Sequence, residues 1–561
     1  MAFKFNSKNS LALFLVVALS FLCFSSTAYD ISSSNSVCDS TPYPSSCISS
    51  LPTNYNTTKA NVYDFCQFSI RKSLSNARKF KLLIEKYQRS SAALSTGVIR
   101  ALEDCHLLAD LNMDFLTSSM KSVSTKALSS SKADDVQTLL SSILTNTQTC
   151  LDGLQETAST WNQKNGISTP LANDNKLFSV SLSLFNKAWG HKINEGPSNP
   201  SKLQQAGFKN SPLPFKVSSK NKALSERLGR RKLLQTDDGA DEVPISDLVI
   251  VSKDGSGNFT TINEAVAMAP NNSLASDGYY LIYVVAGVYE EYITIPKNKK
   301  YLMMIGDGIN QTVITGNHNV VDGWTTFHSP TFAVVGHGFV GVNITFRNTA
   351  GGIKHQAVAV RNGADMSTFY SCSFEGYQDT LYVHSQRQYY TECDIYGTVD
   401  FIFGNAAAVF QNCNIYPRLP LANQFNAITA QGRTDPNQNT GISIQNCNIK
   451  AADDLASSEG TTQTYLGRPW KAYSRTIYIQ SFMDSLINPA GWREWSGDFA
   501  LSTLYYAELG NTGPGSVTKE RVTWPGFHTI SATEAANFTV SNFLLGDNWL
   551  PQTGVPYSGS L

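Results

Sequence analysis

A five-residue motif recurs at irregular intervals in the second half of the sequence. It has the form x-x-Cys-polar-Phe/Ile and occurs around Cys372, Cys393, Cys413 and Cys447. We place a fifth copy at 340–344, with Val342 in the cysteine position, and the copies are then 30, 21, 20 and 34 residues apart. Short strands at irregular steps are typical of a β-helix, in which loops vary in length while the rungs stay stacked. An antiparallel sandwich is the alternative, although it would show more regular hairpin signals.

The composition around these motifs also favours strands. Beyond Val243, short runs rich in Val, Ile, Thr, Tyr and Phe alternate with Gly, Asn and Asp, and no long helical pattern follows 262–268. We therefore predict that residues 244–561 form a right-handed parallel β-helix. Its motif cysteines would stack inside, where they can form disulfides or pack as small apolar groups, and the spacing leaves both open.

The first residues have the layout of a secretory signal peptide. Lys4 and Lys8 precede an apolar run at 11–24, which is followed by small residues up to Ala28. A membrane anchor is the alternative, but a span needs about 20 apolar residues. We predict a signal at 1–28 and no membrane association. Export favours disulfides and a glycoprotein, and six glycosylation sequons fit this prediction: Asn56, Asn258, Asn271, Asn310, Asn343 and Asn537.

Residues 29–196 read as a helical region. Apolar residues recur at three- and four-residue spacing over 62–87, 96–116, 134–156 and 175–189, which predicts a four-helix bundle. Cys38 and Cys47 could close a small hairpin, and Cys105 and Cys150 could join two helices. Cys66 would then remain free and buried.

A polar linker at 197–243 separates the two regions and contains the basic stretch 230–234, Arg-Arg-Lys-Leu-Leu. The stretch is either a solvated linker or the site where a secretory-pathway protease cuts, and we expect the cut. Residues 1–234 contain 27 Lys+Arg and 15 Asp+Glu, whereas residues 235–561 contain 17 and 29. The opposite net charges favour association of the two regions, and the acidic second region argues against a nucleic-acid partner.

The repeat places two acids in equivalent positions. Asp379 and Asp400 each lie seven residues after a motif cysteine, with a glycine at the fourth position. Rungs in register are about 4.8 Å apart, so the two carboxylates would lie side by side. Such a pair resists double ionisation and offers an acid and a nucleophile at one pH. Turns often contain aspartate, however, and Asp454, which is also seven residues after a motif cysteine, illustrates this simpler explanation.

Nearby residues support a hydrolytic role for this pair. Gln378 and Gln356 could donate hydrogen bonds to a developing oxyanion without adding charge, and Arg468 could keep Asp400 ionised through a two-point contact. Trp470 offers an apolar face for a sugar ring. Each residue also has a purely structural alternative. The sequence contains neither a Gly-x-Ser-x-Gly elbow nor a His-Glu-x-x-His motif.

Five segments resemble the signature motifs of plant pectin methylesterases, in the same order. They are Gly-Val-Tyr-Glu-Glu at 287–291, Gln-Ala-Val-Ala-Val at 356–360, Gln-Asp-Thr-Leu at 378–381, Asp-Phe-Ile-Phe-Gly at 400–404 and Leu-Gly-Arg-Pro-Trp at 466–470. Val360, where the family usually has leucine, is the departure. The helical region is similar to pectin methylesterase inhibitor domains through its paired cysteines and Thr-Cys-Leu-Asp-Gly at 149–153, and 230–234 resembles the family's processing motif.

The resemblance implies hydrolysis of galacturonate methyl esters in pectin, with release of methanol and no metal or organic cofactor. Asp400 would be the nucleophile and Asp379 the general acid and base. Gln378 and Gln356 would stabilise the tetrahedral intermediate, and Arg468 would orient Asp400. Trp470 and Thr326 would contact the polymer.

We further expect a monomer, secreted to the cell wall. Its partners would be the homogalacturonan polymer, its own pro-region, separate inhibitor proteins and a subtilisin-like processing protease. The pro-region would inhibit the enzyme or assist its folding. Two functional alternatives remain: a β-helix lyase or glycosidase acting on the same polymer, and a non-catalytic inhibitor or wall-binding module.

Overall fold

The structure is a computed structural model that describes residues 34–51, 61–89, 94–193, 215–216, 243–458 and 462–561. The predicted signal peptide at 1–28, most of the predicted linker, the processing site at 230–234 and the sequon at Asn56 lie outside these residues. Within the described ranges, no helix combines the length and apolar character needed to cross a membrane.

The N-terminal region is helical, as predicted. Two short helices, α1 (Ser34–Cys38) and α2 (Pro44–Ser50), precede a bundle of four long ones: α3 (Val62–Arg89), α4 (Thr96–Val123), α5 (Ser130–Asn165) and α6 (Ser168–Ile193). Helices α3 and α5 each pack against both α4 and α6. Their apolar stripes face one another in a shared core.

The long helices extend past the predicted ends, most of all α5, which was expected over 134–156. In α4 the added turns carry Met120 and the buried Val123, which continue the apolar spacing from Leu116, so the predicted end was too early. The start of α4 is set by Ser95, whose hydroxyl accepts a hydrogen bond from the Val98 N–H at 3.4 Å.

Both predicted disulfides of the helical region are confirmed. Cys38 is bonded to Cys47, and Cys105 on α4 is bonded to Cys150 on α5. Cys66 is a buried free thiol, also as predicted, and burial raises the pKa of that thiol.

The second region is a parallel β-helix of three sheets, which confirms the predicted fold class. The first sheet contains β1 (Phe215–Lys216), β2 (Val243–Val251), β3 (Tyr279–Val284), β6 (Leu302–Gly306), β9 (Val340–Val342), β12 (Ser367–Tyr370), β15 (Arg387–Thr391), β18 (Ala407–Gln411), β21 (Gly441–Gln445), β24 (Arg475–Ile479), β26 (Tyr505–Leu509) and β27 (Phe527–Thr529).

The other two sheets complete each rung. The second contains β4 (Gly287–Glu290), β7 (Thr312–Gly316), β10 (Thr345–Asn348), β13 (Ser373–Glu375), β16 (Asp394–Gly397), β19 (Asn414–Pro417), β22 (Asn448–Ile449) and β25 (Phe482–Met483). The third contains β5 (Ile293–Ile295), β8 (Phe332–Val334), β11 (Val360–Asn362), β14 (Leu381–Val383), β17 (Ile402–Gly404), β20 (Asn426–Gln431) and β23 (Thr464–Gly467).

Four short helices flank the coil. Helix α7 (Ile262–Met268) has the predicted bounds and begins with a capping box between Thr261 and Glu264. The others are α8 (Asp453–Ala456), α9 (Ala532–Ala535) and α10 (Val540–Phe543).

The motif cysteines mark one corner of the coil. Cys372, Cys393, Cys413 and Cys447 are buried free thiols that pack among apolar side chains in the interior. The residue before each cysteine has a positive φ, which turns the chain from the first sheet into the second; these residues are Ser371, Glu392, Asn412 and Asn446.

The placement of Val342 in the cysteine position is wrong by two residues. Thr345 pairs with Ser373, so Ile344 is equivalent to Cys372 and Asn343 is the corner residue with positive φ. Val342 lies before the corner, opposite Tyr370. A two-residue shift preserves the alternation of a strand, so the pattern of apolar residues could not reveal the error.

The interior is built from ladders of like residues in register. In the second sheet one ladder runs through Phe346, Phe374, Ile395, Ile415, Ile449 and Met483, all of them buried. Because each side chain packs on the rungs above and below, the ladder fixes the register of the coil.

We predict that Ile415→Ala lowers the free energy of unfolding by about 2–5 kcal/mol, since it opens a cavity between two rungs. Asn448→Ala, one rung away and exposed, should cost less than about 1 kcal/mol. Equilibrium denaturation followed by circular dichroism measures both. Equal costs would show that the interior ladder does not stabilise the coil.

Candidate active site

Asp379 and Asp400 occupy equivalent positions in adjacent rungs. Leu381 of β14 pairs with Ile402 of β17, and each aspartate lies two residues before its strand. Both have positive φ, 62° and 54°, and both are almost fully buried. The backbone N–H of Asp379 donates to the carbonyl of Val399 at 3.1 Å, which holds the two turns against each other.

The surroundings push the proton affinities of the two acids apart. Burial, and then the charge of Asp400, raise the pKa of Asp379 well above its usual range. Burial also raises the pKa of Asp400, but the hydrogen bonds and charge of Arg468 oppose that rise. Of the two acids, Asp379 therefore has the higher proton affinity and Asp400 ionises more readily.

Arg468 contacts Asp400 at two points. Its Nε donates to Oδ1 at 2.8 Å and an Nη donates to Oδ2 at 2.7 Å. The arginine follows β23, and its backbone N–H donates to the carbonyl of Thr429 at 3.0 Å. Glycine is needed at position 467, because a Cβ there would lie 2.1 Å from the Thr429 hydroxyl. This close approach of the two rungs sets the position of Arg468.

One cavity collects all seven residues proposed from the sequence: Thr326, Gln356, Gln378, Asp379, Asp400, Arg468 and Trp470. The two glutamines lie on adjacent rungs, since the N–H of Ala357 donates to the Gln378 carbonyl at 3.2 Å. Asp454, by contrast, lies on α8, where its carboxylate contacts Arg418. The shared spacing from a cysteine therefore does not bring Asp454 to the cavity.

Besides Phe327, three aromatic residues of the cavity were missed by the sequence analysis. Tyr382 and Phe403 stack at 4.2 Å on neighbouring strands, and Trp495 lies over the Arg468 guanidinium at 4.2 Å. Tyr382 and Phe403 could have been found from the sequence, because each lies three residues after one of the two aspartates. Both side chains point outward from the third sheet. Trp495 lies beyond the last repeat and carries no such signal.

The helical region covers this cavity. Asp104 of α4 and Thr149, Asp152 and Glu156 of α5 contribute to its walls. Apolar residues of both regions, among them Phe80, Leu154, Phe327 and Tyr382, form one continuous buried cluster. The sequence predicted association from charge but not which surface is covered.

One face of α5 follows the third sheet. Thr145 accepts a hydrogen bond from the Asn405 amide at 2.8 Å, and Thr149 contacts the His384 ring at 3.0 Å. Lys471 forms an ion pair with Asp152 at 2.8 Å, close to Trp470. Glu156 lies near Asp379, where its charge disfavours ionisation of that acid.

A buried arginine anchors the other end of α5. Arg387 contacts Asp134 at 2.6 Å and Asp135 at 2.8 Å, and it also contacts Asp365 of its own region at 2.7 Å. Burial raises the pKa of Asp134 to about 6, because the loss of solvation outweighs the attraction of Arg387.

The described residues contain no group of three or more His, Cys, Asp or Glu side chains arranged to hold a metal ion. The cavity offers two adjacent carboxyl groups of unequal proton affinity and neutral amide donors. Fold and cavity together define a parallel β-helix protein with a carboxyl pair in its cavity, the arrangement that carboxylate-pair hydrolases use.

Comparison with known proteins identifies the family. The model of the family described as Pectinesterase matches residues 248–547, and that of Plant invertase/pectin methylesterase inhibitor matches 32–184. Probable pectinesterase/pectinesterase inhibitor 7 of Arabidopsis thaliana is 58% identical, with 98% of this chain and 99% of the relative covered. Pectinesterase 2 of Citrus sinensis is 46% identical, with 98% and 100% covered.

A solved structure agrees. Pectin methylesterase from carrot is 53% identical, with 58% of this chain and all of that chain covered, at a TM-score of 0.55. The chain belongs to the pectinesterase family of carboxylic ester hydrolases and carries an inhibitor-like N-terminal domain.

The pKa of Asp134 leads to a prediction about docking. A carboxyl whose pKa is higher in the docked state binds its proton more tightly there, so its contribution to docking is lost as pH rises from about 4 to about 6. We expect the ratio of docking affinities, wild type over Asp134→Asn, to fall at least tenfold between pH 4.5 and 7.

The measurement is calorimetry on the two regions separated at an engineered cut in 230–234. His384, whose pKa burial lowers to about 3, is common to both proteins and cancels in the ratio. A ratio that stays constant or rises with pH would contradict the prediction.

Proposed function

We propose that this chain is the precursor of a pectin methylesterase that hydrolyses galacturonate methyl esters of homogalacturonan. The observation that carries the proposal is the pair of adjacent buried acids, in which Arg468 contacts Asp400 at two points and burial with the Asp400 charge raises the pKa of Asp379. The relatives' names point to the same substrate. Trp470 and Thr326 border the cavity, where they would contact the polymer.

The reaction follows from these positions. Asp400 attacks the ester carbonyl carbon, and the amides of Gln378 and Gln356 donate hydrogen bonds to the oxyanion that forms. Asp379 gives its proton to the departing methoxide, so methanol leaves and an anhydride to Asp400 remains. Asp379, now ionised, takes a proton from water, which attacks the acyl carbon and releases the free carboxylate. Arg468 limits the attacking carboxylate to one orientation.

In the precursor, the helical region would block this chemistry. Asp152 and Glu156 line the cavity that the sugar would enter, and Glu156 adds negative charge beside Asp379. Secretion with the signal at 1–28 and cutting at 230–234 would then release an active wall enzyme. Separate inhibitor proteins of the same helical type would bind the same face.

We predict that residues 235–561 alone release methanol from pectin. The carrot chain, which is covered over its whole length, shows that this fold exists without a helical region. Asp400→Asn should reduce methanol release by on the order of 10³-fold or more, since the nucleophile is lost. Asp379→Asn should also impair it strongly.

Asp454→Asn is the matched control, because Asp454 has the same spacing from a cysteine but lies away from the cavity. It should keep the wild-type rate. Methanol release by Asp400→Asn at the control's rate would contradict the assignment of Asp400 as the nucleophile. New reducing ends or unsaturated termini in the product would instead identify a glycosidase or a lyase.

A second prediction concerns maturation. Replacing Arg230 and Arg231 by alanine should leave the precursor uncut, and the uncut chain should release methanol at least tenfold more slowly than the separated catalytic region, because α5 covers the cavity. Immunoblotting of secreted protein and methanol assays measure the two effects. Normal cutting in the variant, or full activity of the uncut chain, would refute the respective half of the proposal.

A further inference from the structure

A stack of three rings ends at Trp324, which immediately precedes the cavity residues Thr325 and Thr326. The ring of His318 lies between Tyr292, at 3.5 Å and 8°, and Trp324, at 3.6 Å and 17°. Burial and the charges of Arg100 and His328 lower the pKa of His318 to about 4, so it is neutral above that pH. Trp324 is the end ring of this stack, and it is the ring that the helical region contacts.

The catalytic region holds the loop that carries Trp324 in place. The side-chain amide of Asn319 donates a hydrogen bond to the Asp322 carboxylate at 2.7 Å. The backbone carbonyl of Asn319 accepts a hydrogen bond from the backbone N–H of Trp324 at 3.2 Å. Lys354 forms an ion pair with Asp322 at 2.5 Å. The N–H of Val320 donates to the Gln356 carbonyl at 3.1 Å, which joins the loop to the cavity wall. These contacts of the Trp324 loop all lie within the β-helix region and do not involve the helical region.

Two residues of α4, one turn apart, occupy this surface in the precursor. The planar guanidinium of Arg100 lies 3.7 Å over the Trp324 ring and also contacts the Gly323 carbonyl. The carboxylate of Asp104 accepts a hydrogen bond from the Thr325 hydroxyl at 2.5 Å and contacts Nδ1 of His328. A flat group and a carboxylate are thus bound side by side.

A galacturonate residue offers the same two features. One face of its ring is flat and lined with C–H groups, which suits an aromatic platform, and its carboxylate projects beside the ring. Loss of the helical region would free both the Trp324 face and the two groups that hold Asp104. Thr325 immediately precedes Thr326 of the cavity, so a sugar bound here would belong to the polymer chain that enters the site.

We propose that Trp324, Thr325 and His328 form a subsite for a galacturonate with a free carboxylate, next to the site of ester hydrolysis. The inference rests on the proposed function, whose polymer substrate it uses. A methyl ester at this position carries no charge and would leave the donors of Thr325 and His328 without an anion. The enzyme therefore favours esters that lie near residues already de-esterified.

The subsite also explains why α4 binds where it does. Arg100 and Asp104 imitate the ring and the carboxylate of the sugar, and the polymer and the helical region compete for one surface. The subsite opens only when the helical region leaves.

The test is binding of de-esterified oligogalacturonate to residues 235–561, measured by calorimetry. The probe is not turned over, so the result does not depend on catalysis. Trp324→Ala and His328→Ala should each weaken binding about tenfold, as expected for loss of a stacking surface or of a hydrogen bond to a charged group. Trp324→Phe keeps a flat ring and should restore most of the affinity.

His528→Ala is the matched control, since His528 packs on Tyr505 of the first sheet, away from the residues that line the cavity. In Asp400→Asn protein, fully esterified oligomer of the same length should bind more weakly than the acid oligomer. Adding His328→Ala to that protein should remove the difference between the two affinities. Wild-type affinity for the acid oligomer in both Trp324→Ala and His328→Ala would overturn the subsite. Absence of methanol release by the wild type would instead overturn the proposed function.

Discussion

The in-register stacking of rungs is the constraint on which the rest of the structure depends. Parallel pairing at about 4.8 Å repeats every position of one turn in the next, so two acids 21 residues apart in the sequence become neighbours. A slip of one residue would turn one of them inward. Interior ladders and corners with positive φ prevent that slip, and the same stacking sets Arg468 against Asp400. The proton arrangement of the cavity is therefore a consequence of the fold.

The helical region is adapted to this surface rather than attached to it at random. Its carboxylates meet basic side chains of the β-helix region, Asp152 at Lys471, Asp134 at Arg387 and Asp104 at His328. An acidic polymer would present similar groups to those of them that lie near the cavity. Several of these contacts place charge in buried surroundings. The free energy that they contribute to association of the two regions is therefore sensitive to protonation and to the removal of one partner.

Much of this architecture could be predicted from the sequence, because the relevant signals are local or repeated. The cysteine motif predicted the rungs, and the common spacing to Asp379 and Asp400 predicted their juxtaposition. The same arithmetic also selected Asp454, which a loop of different length takes elsewhere. It misplaced Val342 because strand alternation cannot separate positions two residues apart. The covering of the groove by α4 and α5 depends on contacts between distant segments, for which neither region carries a local signal.

The central claim is that Asp379 and Asp400 act as one coupled pair, and carboxyl titration by NMR tests it most directly. Residues 235–561 labelled with ¹³C at the aspartate carboxyl carbons would be titrated with and without Asp400→Asn. The account predicts that Asp379 titrates well above its usual pKa in the wild type. Its pKa should fall by about one unit or more when the Asp400 charge is removed and Arg468 remains. A pKa of Asp379 in its usual range, or one that is the same in the wild type and in Asp400→Asn, would contradict the claim that the two acids are coupled.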